Sequence, residues 1–240
     1  MKAILLAAGV GSRLSRSTSS PKSVLDVGGM PLIRHTVEML MRNHISVAVV
    51  VGFMKEMVYE ALNGLDVDYC YNPFYKVTNS MGSLWLGRNY IAPGDDLILG
   101  NADVFWGQDI LDLLLDDTRD AVMLADKSRV EVGDYFFKTH DSKIILYGKD
   151  LQLNERDCEY VGIAKLNANF VGGFKERINR CIEDELYNLW WENVLYNYSK
   201  EYPVYALDVG NRFWGEIDYI EDYQRIVDHI NEKNENKEVT

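Results

Sequence analysis

The chain has 240 residues, enough for one α/β domain, and 47% of them are apolar, enough for a substantial core. Its 25 basic and 37 acidic side chains leave a net charge of −12, which argues against a nucleic-acid or anionic-membrane surface, since both need basic patches. The three cysteines, Cys70, Cys158 and Cys181, match no metal-ligand spacing and read as reduced, packed thiols of a cytoplasmic protein.

Residues 2–8 (KAILLAA) form an apolar run expected to be a strand buried on both faces. The run is too short, and too soon interrupted by Gly9, for a signal peptide, and nothing approaches a membrane span. Pro31 opens a helical pattern with Leu32, Ile33, Val37, Leu40 and Met41 on one face. Residues 45–52 predict a second strand, 54–62 a short helix, 67–71 a third strand, 80–90 a helix and 97–99 a fourth strand. Such alternation implies right-handed βαβ crossovers and a parallel sheet. Residues 134–165 instead alternate strands with polar turns, as in an antiparallel excursion beside the main sheet. Helices return at 168–199, and a short strand (PVYALDV) precedes a last helix carrying Tyr219, Tyr223, Ile226 and Ile230. The expected fold is α/β: a Rossmann-like mixed, mainly parallel sheet flanked by helices, in one domain over residues 1–235, with a frayed polar tail at 236–240.

Chemistry is first suggested where the first strand ends. Gly9 and Gly11 allow positive φ and close backbone approach, so consecutive N–H groups there can face phosphate oxygens. Arg13 adds a guanidinium fork for phosphate, and Pro21-Lys22 brings a second cation to the same loop. A dinucleotide fingerprint fails because Leu14 stands where a third glycine is needed, and the Gly-Lys-Ser/Thr end of a Walker loop is missing.

Taken together, LAAGVGSRL (residues 6–14) and PKSVLDVGGMPLI (residues 21–33) resemble the signature of the sugar-phosphate and choline-phosphate nucleotidyltransferases, with Val24 as a small departure. The likeness runs nearly the full length towards the bacterial CTP:phosphocholine cytidylyltransferases and their phosphonate-activating relatives. It is strong over the first 100 residues and holds only in outline near 130–200, the expected acceptor region. The resemblance implies nucleotide contacts from Leu6, Ala7, Ala8, Gly9, Gly11, Ser12, Arg13, Lys22, Asn79, Ser83 and Asn101, with Arg13 and Lys22 catalytic. Asn72-Pro73-Phe74-Tyr75 and Asn79 to Leu84 are similar to the stretch that holds the nucleoside. Gly100-Asn101-Ala102-Asp103 resembles a metal-binding turn in which Asn101 replaces a common aspartate, and Glu216-Ile217-Asp218 with Glu221-Asp222-Tyr223 resembles the element supplying a second metal carboxylate. Asp103, Asp218 and Glu216 are thus the expected Mg²⁺ ligands.

The implied reaction moves CMP from CTP to a small phosphorylated or phosphonate acceptor and releases pyrophosphate. The alternatives are transfer to a sugar 1-phosphate from UTP or dTTP, and a non-catalytic nucleotide-sensing domain. No nucleic-acid or membrane partner is expected, and a homodimer is left open. Aromatic faces with neighbouring carboxylates at Trp190-Trp191-Glu192 and Asp134-Tyr135 suggest an ammonium-binding acceptor pocket, although five tryptophans and fifteen tyrosines must mostly serve as core. Plain structural roles compete elsewhere: Asp218 with Glu221 could cap the last helix, Asp103 could be a turn residue, Lys22 a surface lysine, and Asn79 and Ser83 helix caps.

Overall fold

The computed structural model describes residues 1–11, 20–199 and 201–238. In chain order the strands and α-helices are β1 (Lys2–Ala7), α1 (Leu32–Arg42), β2 (Ser46–Val51), α2 (Lys55–Ala61), β3 (Val67–Tyr71), α3 (Ser80–Gly87), β4 (Leu97–Asn101), β5 (Val104–Trp106), α4 (Gln108–Asp116), β6 (Ala121–Asp126), β7 (Phe136–His140), β8 (Lys143–Gly148), β9 (Cys158–Leu166), α5 (Ala168–Glu183), α6 (Asn193–Tyr198), β10 (Tyr205–Asp208), β11 (Trp214–Glu216) and α7 (Ile220–Glu238). The first half follows the predicted alternation closely. Leu32, Ile33, Val37 and Leu40 are fully buried on α1, as their spacing requires, while Met41 is half-buried.

Nine strands form one sheet in the order β3-β2-β1-β4-β9-β6-β10-β8-β7. Pairings among β3, β2, β1 and β4 are parallel, as is β6 with β10, but β9 runs antiparallel to both β4 and β6. The expectation of a mainly parallel sheet with a side excursion is therefore corrected. Cys158–Leu166, counted with the excursion, lies at the centre of the sheet and is buried along its whole length. Its start also pairs with β7, which bends the second half of the sheet into a partly closed curve. A register shift against β6, centred on Gly162 at φ +93°, lets β9 serve both partners.

Side chains alternate across the sheet into two cores. Ile4, Ala48 and Val50 face one side with Leu84, Phe174 and Trp191; Ala3, Leu5, Val47 and Val49 face the other with Ile33, Leu40 and Trp106. Two-sided burial explains why these strands read as continuous apolar runs. No helix among the described residues is long and apolar enough to cross a membrane. All three cysteines are free, with Cys158 and Cys181 buried.

The sequence reading passed over β5, α4 and β6. Of these β5 matters most, because it pairs antiparallel with β11 in a separate two-stranded sheet. At the C-terminus α7 continues to Glu238, and residues 239–240 of the expected polar tail lie outside the described residues.

Candidate active site

A cavity of about 430 Å³ opens where β1 and β4 end, and it is walled in turn by the backbone of a glycine turn, charged side chains and aromatic rings. Leu6, Ala7, Ala8, Gly9 and Gly11 form one wall. Gly11 has φ +62°, and a Cβ there would meet the Lys22 side chain at 3.1 Å, so glycine is needed both for the turn and for the lysine packed over it. Gly9, expected to share this role, does not adopt a positive φ. Ser12 and Arg13 lie outside the described residues.

Lys22 is no surface lysine. Only 10% of its side chain is exposed, and its Nζ lies 2.5 Å from the Asp218 carboxylate and 3.6 Å from that of Asp103. Burial works against its charge, but Asp103, Asp218 and Glu216 outweigh it and hold the ammonium above its ordinary pKa. These carboxylates converge because of the β5–β11 pair. Glu216 stands opposite Val104 in register, and the Ile217 N–H donates to the Asp103 carbonyl at 3.0 Å. Burial and then mutual repulsion raise Glu216 well above the usual carboxylate range; Asp103 is also raised, by burial first, against the pull of Lys22. The Asp103 side chain, enclosed by protein, still keeps 26% of its surface open to the cavity. Among the described residues, no group of three metal-ligating side chains is disposed to hold a metal by itself.

The competing capping role for Asp218 with Glu221 is answered by its neighbour. The Asp222 carboxylate accepts the N–H groups of Asp218 at 3.1 Å and Tyr219 at 2.8 Å, which leaves the Asp218 carboxylate to face Lys22. Asn79 does cap α3, accepting the Ser80 N–H at 2.8 Å, and also lines the cavity. Ser83, on the same wall, accepts from the amide of buried Asn72 at 3.0 Å.

At the far end stand Tyr135, Trp190 and Glu192, all expected, together with Asp134, Lys149, Tyr160 and Tyr196; the last three, with Glu159, were not foreseen. Trp191 is a correction. It is fully buried, lies off the cavity wall, and donates its indole N–H to Asn101 Oδ1 at 3.0 Å. Asn101 in turn bonds the Glu192 carboxyl, whose pKa burial pushes up to about 7. The aromatic wall is stitched to the start of α3: the N–H groups of Asn79 and Met81 donate to the carbonyls of Tyr187 and Leu189, both at 3.1 Å, and the Trp191 N–H donates to Ser80 Oγ at 2.9 Å.

A glycine turn at a strand end, a lysine among carboxylates and a second, aromatic compartment meet in one cavity at the carboxyl ends of the strands, where ligands of open α/β sheets bind. Residues 3–201 match the model of the MobA-like NTP transferase domain, and the chain belongs to that family of nucleotidyltransferases. The CTP:phosphoglutamine cytidylyltransferase of Campylobacter jejuni is 26% identical over 93% of this chain and 98% of its own. The choline-phosphate cytidylyltransferase of Streptococcus pneumoniae is 25% identical over 98% of this chain and 100% of its own. A solved structure of the CTP:phosphocholine cytidylyltransferase from Streptococcus pneumoniae shares the fold with a TM-score of 0.77 at 24% identity, covering 95% of this chain and 98% of that one.

Proposed function

We propose that this nucleotidyltransferase moves CMP from CTP to a small phosphorylated or phosphonate acceptor and releases pyrophosphate, with Mg²⁺ as cofactor. The observation that carries this reading is the single cavity joining the β1 glycine turn, the Lys22 carboxylate cluster and the aromatic compartment with Glu192. An acceptor phosphate or phosphonate oxygen is already anionic near neutral pH, so attack on the α-phosphorus needs no general base. Positioning and charge neutralisation then supply the rate.

The β1–Gly11 wall offers backbone N–H groups to the triphosphate, with Arg13 as the proposed second phosphate ligand. Lys22 meets the charge that develops around the α-phosphate. Asp103 and Asp218 are the two carboxylates proposed to hold Mg²⁺, with Glu216 beside them, since this cation is usually held by one or two carboxylates and completed by phosphate and water. When bound, the metal would neutralise phosphate charge. Asn79 and Ser83 line the side proposed for the nucleoside, and Glu192, Tyr135 and Trp190 the acceptor side. Catalysis by this set also reconciles a chain of net charge −12 with an anionic substrate, since the cations are local.

Mass spectrometry of the products formed from CTP, Mg²⁺ and a mixture of phosphorylated amines and phosphonates tests the proposal. A CMP-linked product with stoichiometric pyrophosphate is expected. A panel of the four NTPs tests the donor, and faster turnover of UTP or dTTP with a sugar 1-phosphate would replace the CTP reading.

A further inference from the structure

The wall proposed for the nucleoside has a polarity that is fixed from behind it. Asn72, which follows β3, is completely buried, and its backbone N–H donates to the Val51 carbonyl at 2.8 Å, so it is pinned to the end of β2. Its side-chain oxygen accepts the Phe74 N–H at 2.8 Å. Because a backbone N–H can only donate, that bond settles which end of the amide is which. The amide nitrogen gives its two hydrogens to Ser83 Oγ at 3.0 Å and Thr78 Oγ1 at 3.2 Å. Thr78 passes its own hydrogen to the Phe74 carbonyl at 3.0 Å, which closes the ring of bonds. A Cβ at Gly82 would meet the Thr78 side chain at 2.7 Å, so α3 lies directly on this turn.

An Asx turn accounts for the Asn72 oxygen alone. The amide hydrogens have a consequence at Ser83, which is 5% exposed and lines the cavity. Its oxygen receives a hydrogen from Asn72, yet its own hydroxyl hydrogen reaches no acceptor among the described residues. Buried hydroxyls ordinarily use their hydrogen, so the partner that Ser83 lacks is an acceptor on the cavity side. Asn72 itself lies behind the wall, off the cavity.

Resting on the nucleotidyl-transfer reading, we propose that Asn72 is a positioning residue that holds Ser83 as a hydrogen-bond donor to an acceptor atom of the nucleobase. Cytosine presents two such atoms side by side, its carbonyl oxygen and the neighbouring ring nitrogen. Asn72 acts by occupying the serine oxygen, which turns the serine hydrogen towards the ligand.

Titration calorimetry of the full chain with CTP and with inorganic triphosphate, both with Mg²⁺, separates base reading from phosphate binding. Ser83→Ala should weaken CTP about five- to tenfold, one neutral hydrogen bond being worth that factor, and leave inorganic triphosphate within about twofold. Asn72→Asp reverses the polarity, since a carboxylate takes the serine hydrogen instead of giving one. Asn72→Leu removes the donor without adding charge. Both should weaken CTP at least about threefold, and in either background Ser83→Ala should cost less than about twofold more. Thermal melts confirm folding, and where one Asn72 variant does not fold the other carries the comparison. Independent, additive losses at Asn72 and Ser83 overturn the proposal. So does an equal loss of CTP and triphosphate in Ser83→Ala or Asn72→Leu, unchanged CTP affinity in Ser83→Ala, or a wild type that binds no CTP. The expected pattern of binding without any CMP-linked product would instead sink the reaction assigned above and leave the role of Asn72 standing.

Discussion

The two ends of the cavity solve opposite electrostatic problems. At the charged end, four ionisable side chains, Lys22, Asp103, Glu216 and Asp218, crowd together, and the carboxylates outweigh the desolvation of Lys22 and hold its ammonium above its ordinary pKa. At the aromatic end Glu192 is enclosed by rings and an amide, and burial rather than any neighbouring charge dominates its ionisation. On the proposed reading, the charged end receives the triphosphate with its Mg²⁺ and the aromatic end the smaller acceptor. Substitutions should therefore act on the reaction at one end and on stability or selectivity at the other.

The largest effect is expected from Asp103→Asn and Asp218→Asn, each of which should abolish Mg²⁺-dependent turnover while the melting temperature stays close to wild type. Because Asp222 holds the start of α7, the fold has no need of the Asp218 charge there. Retained activity in Asp218→Asn would break the comparison at its charged end. Next comes Lys22→Ala, which should lower kcat more than it raises KM for CTP, by about 10²-fold, since its charge matters most in the transition state. A change confined to KM would reduce Lys22 to a ground-state anchor.

At the aromatic end the adjacent tryptophans should separate. Trp191→Leu should cost about 3 kcal/mol in denaturant unfolding, since it leaves a void in the core and takes away the donor for Asn101. Glu192→Gln tests the buried carboxyl through pH. With a folded pKa of about 7, above that of the unfolded chain, Glu192 holds its proton longer when folded, so its contribution to stability falls as pH rises from about 4.5 to about 7 and then levels off. Glutamine should flatten that slope and raise stability at pH 8 by roughly 2 kcal/mol relative to wild type; parallel melting curves in both proteins would remove Glu192 as the cause. The smallest effect is Trp190→Leu. Trp190 is 40% exposed and already faces Lys149, so acceptor KM should change by only several-fold and stability little.

How much of this was legible in the sequence follows the same division. The charged end lies in short contiguous strings, Leu6 to Gly11, Pro21-Lys22, Asn101 to Asp103 and Glu216 to Asp218, because a turn and a strand end present neighbouring residues to one ligand. Its hidden part was the pairing of three-residue β5 with β11, which brings residues 103 and 216 together and leaves no periodic signal in so short a run. The aromatic end draws Tyr135, Lys149, Tyr160, Glu192 and Tyr196 from different parts of a curved sheet and a helical segment, so their meeting depends on the bulge in β9 and on its antiparallel place in the centre. No local pattern tells Trp190 from Trp191, one half-exposed at the cavity and the other sealed in the core. The mainly parallel sheet was overstated for a related reason: a strand buried on both faces looks alike in either direction.

The hydrogen bonds that join Asn79, Ser80 and Met81 to Tyr187, Leu189 and Trp191 bear on how such an enzyme can be re-engineered. They make the walls proposed for nucleoside and acceptor one seam of fabric, so on that reading the two specificities are not independent modules. A chimera that imports residues 184–199 from a relative to change the acceptor would bring foreign carbonyls to a helix start cut for the old ones, and donor affinity would shift with it. Residues 79–81 and 184–199 should be exchanged as a unit, and libraries that vary both stretches together should yield more active members than libraries that vary either alone.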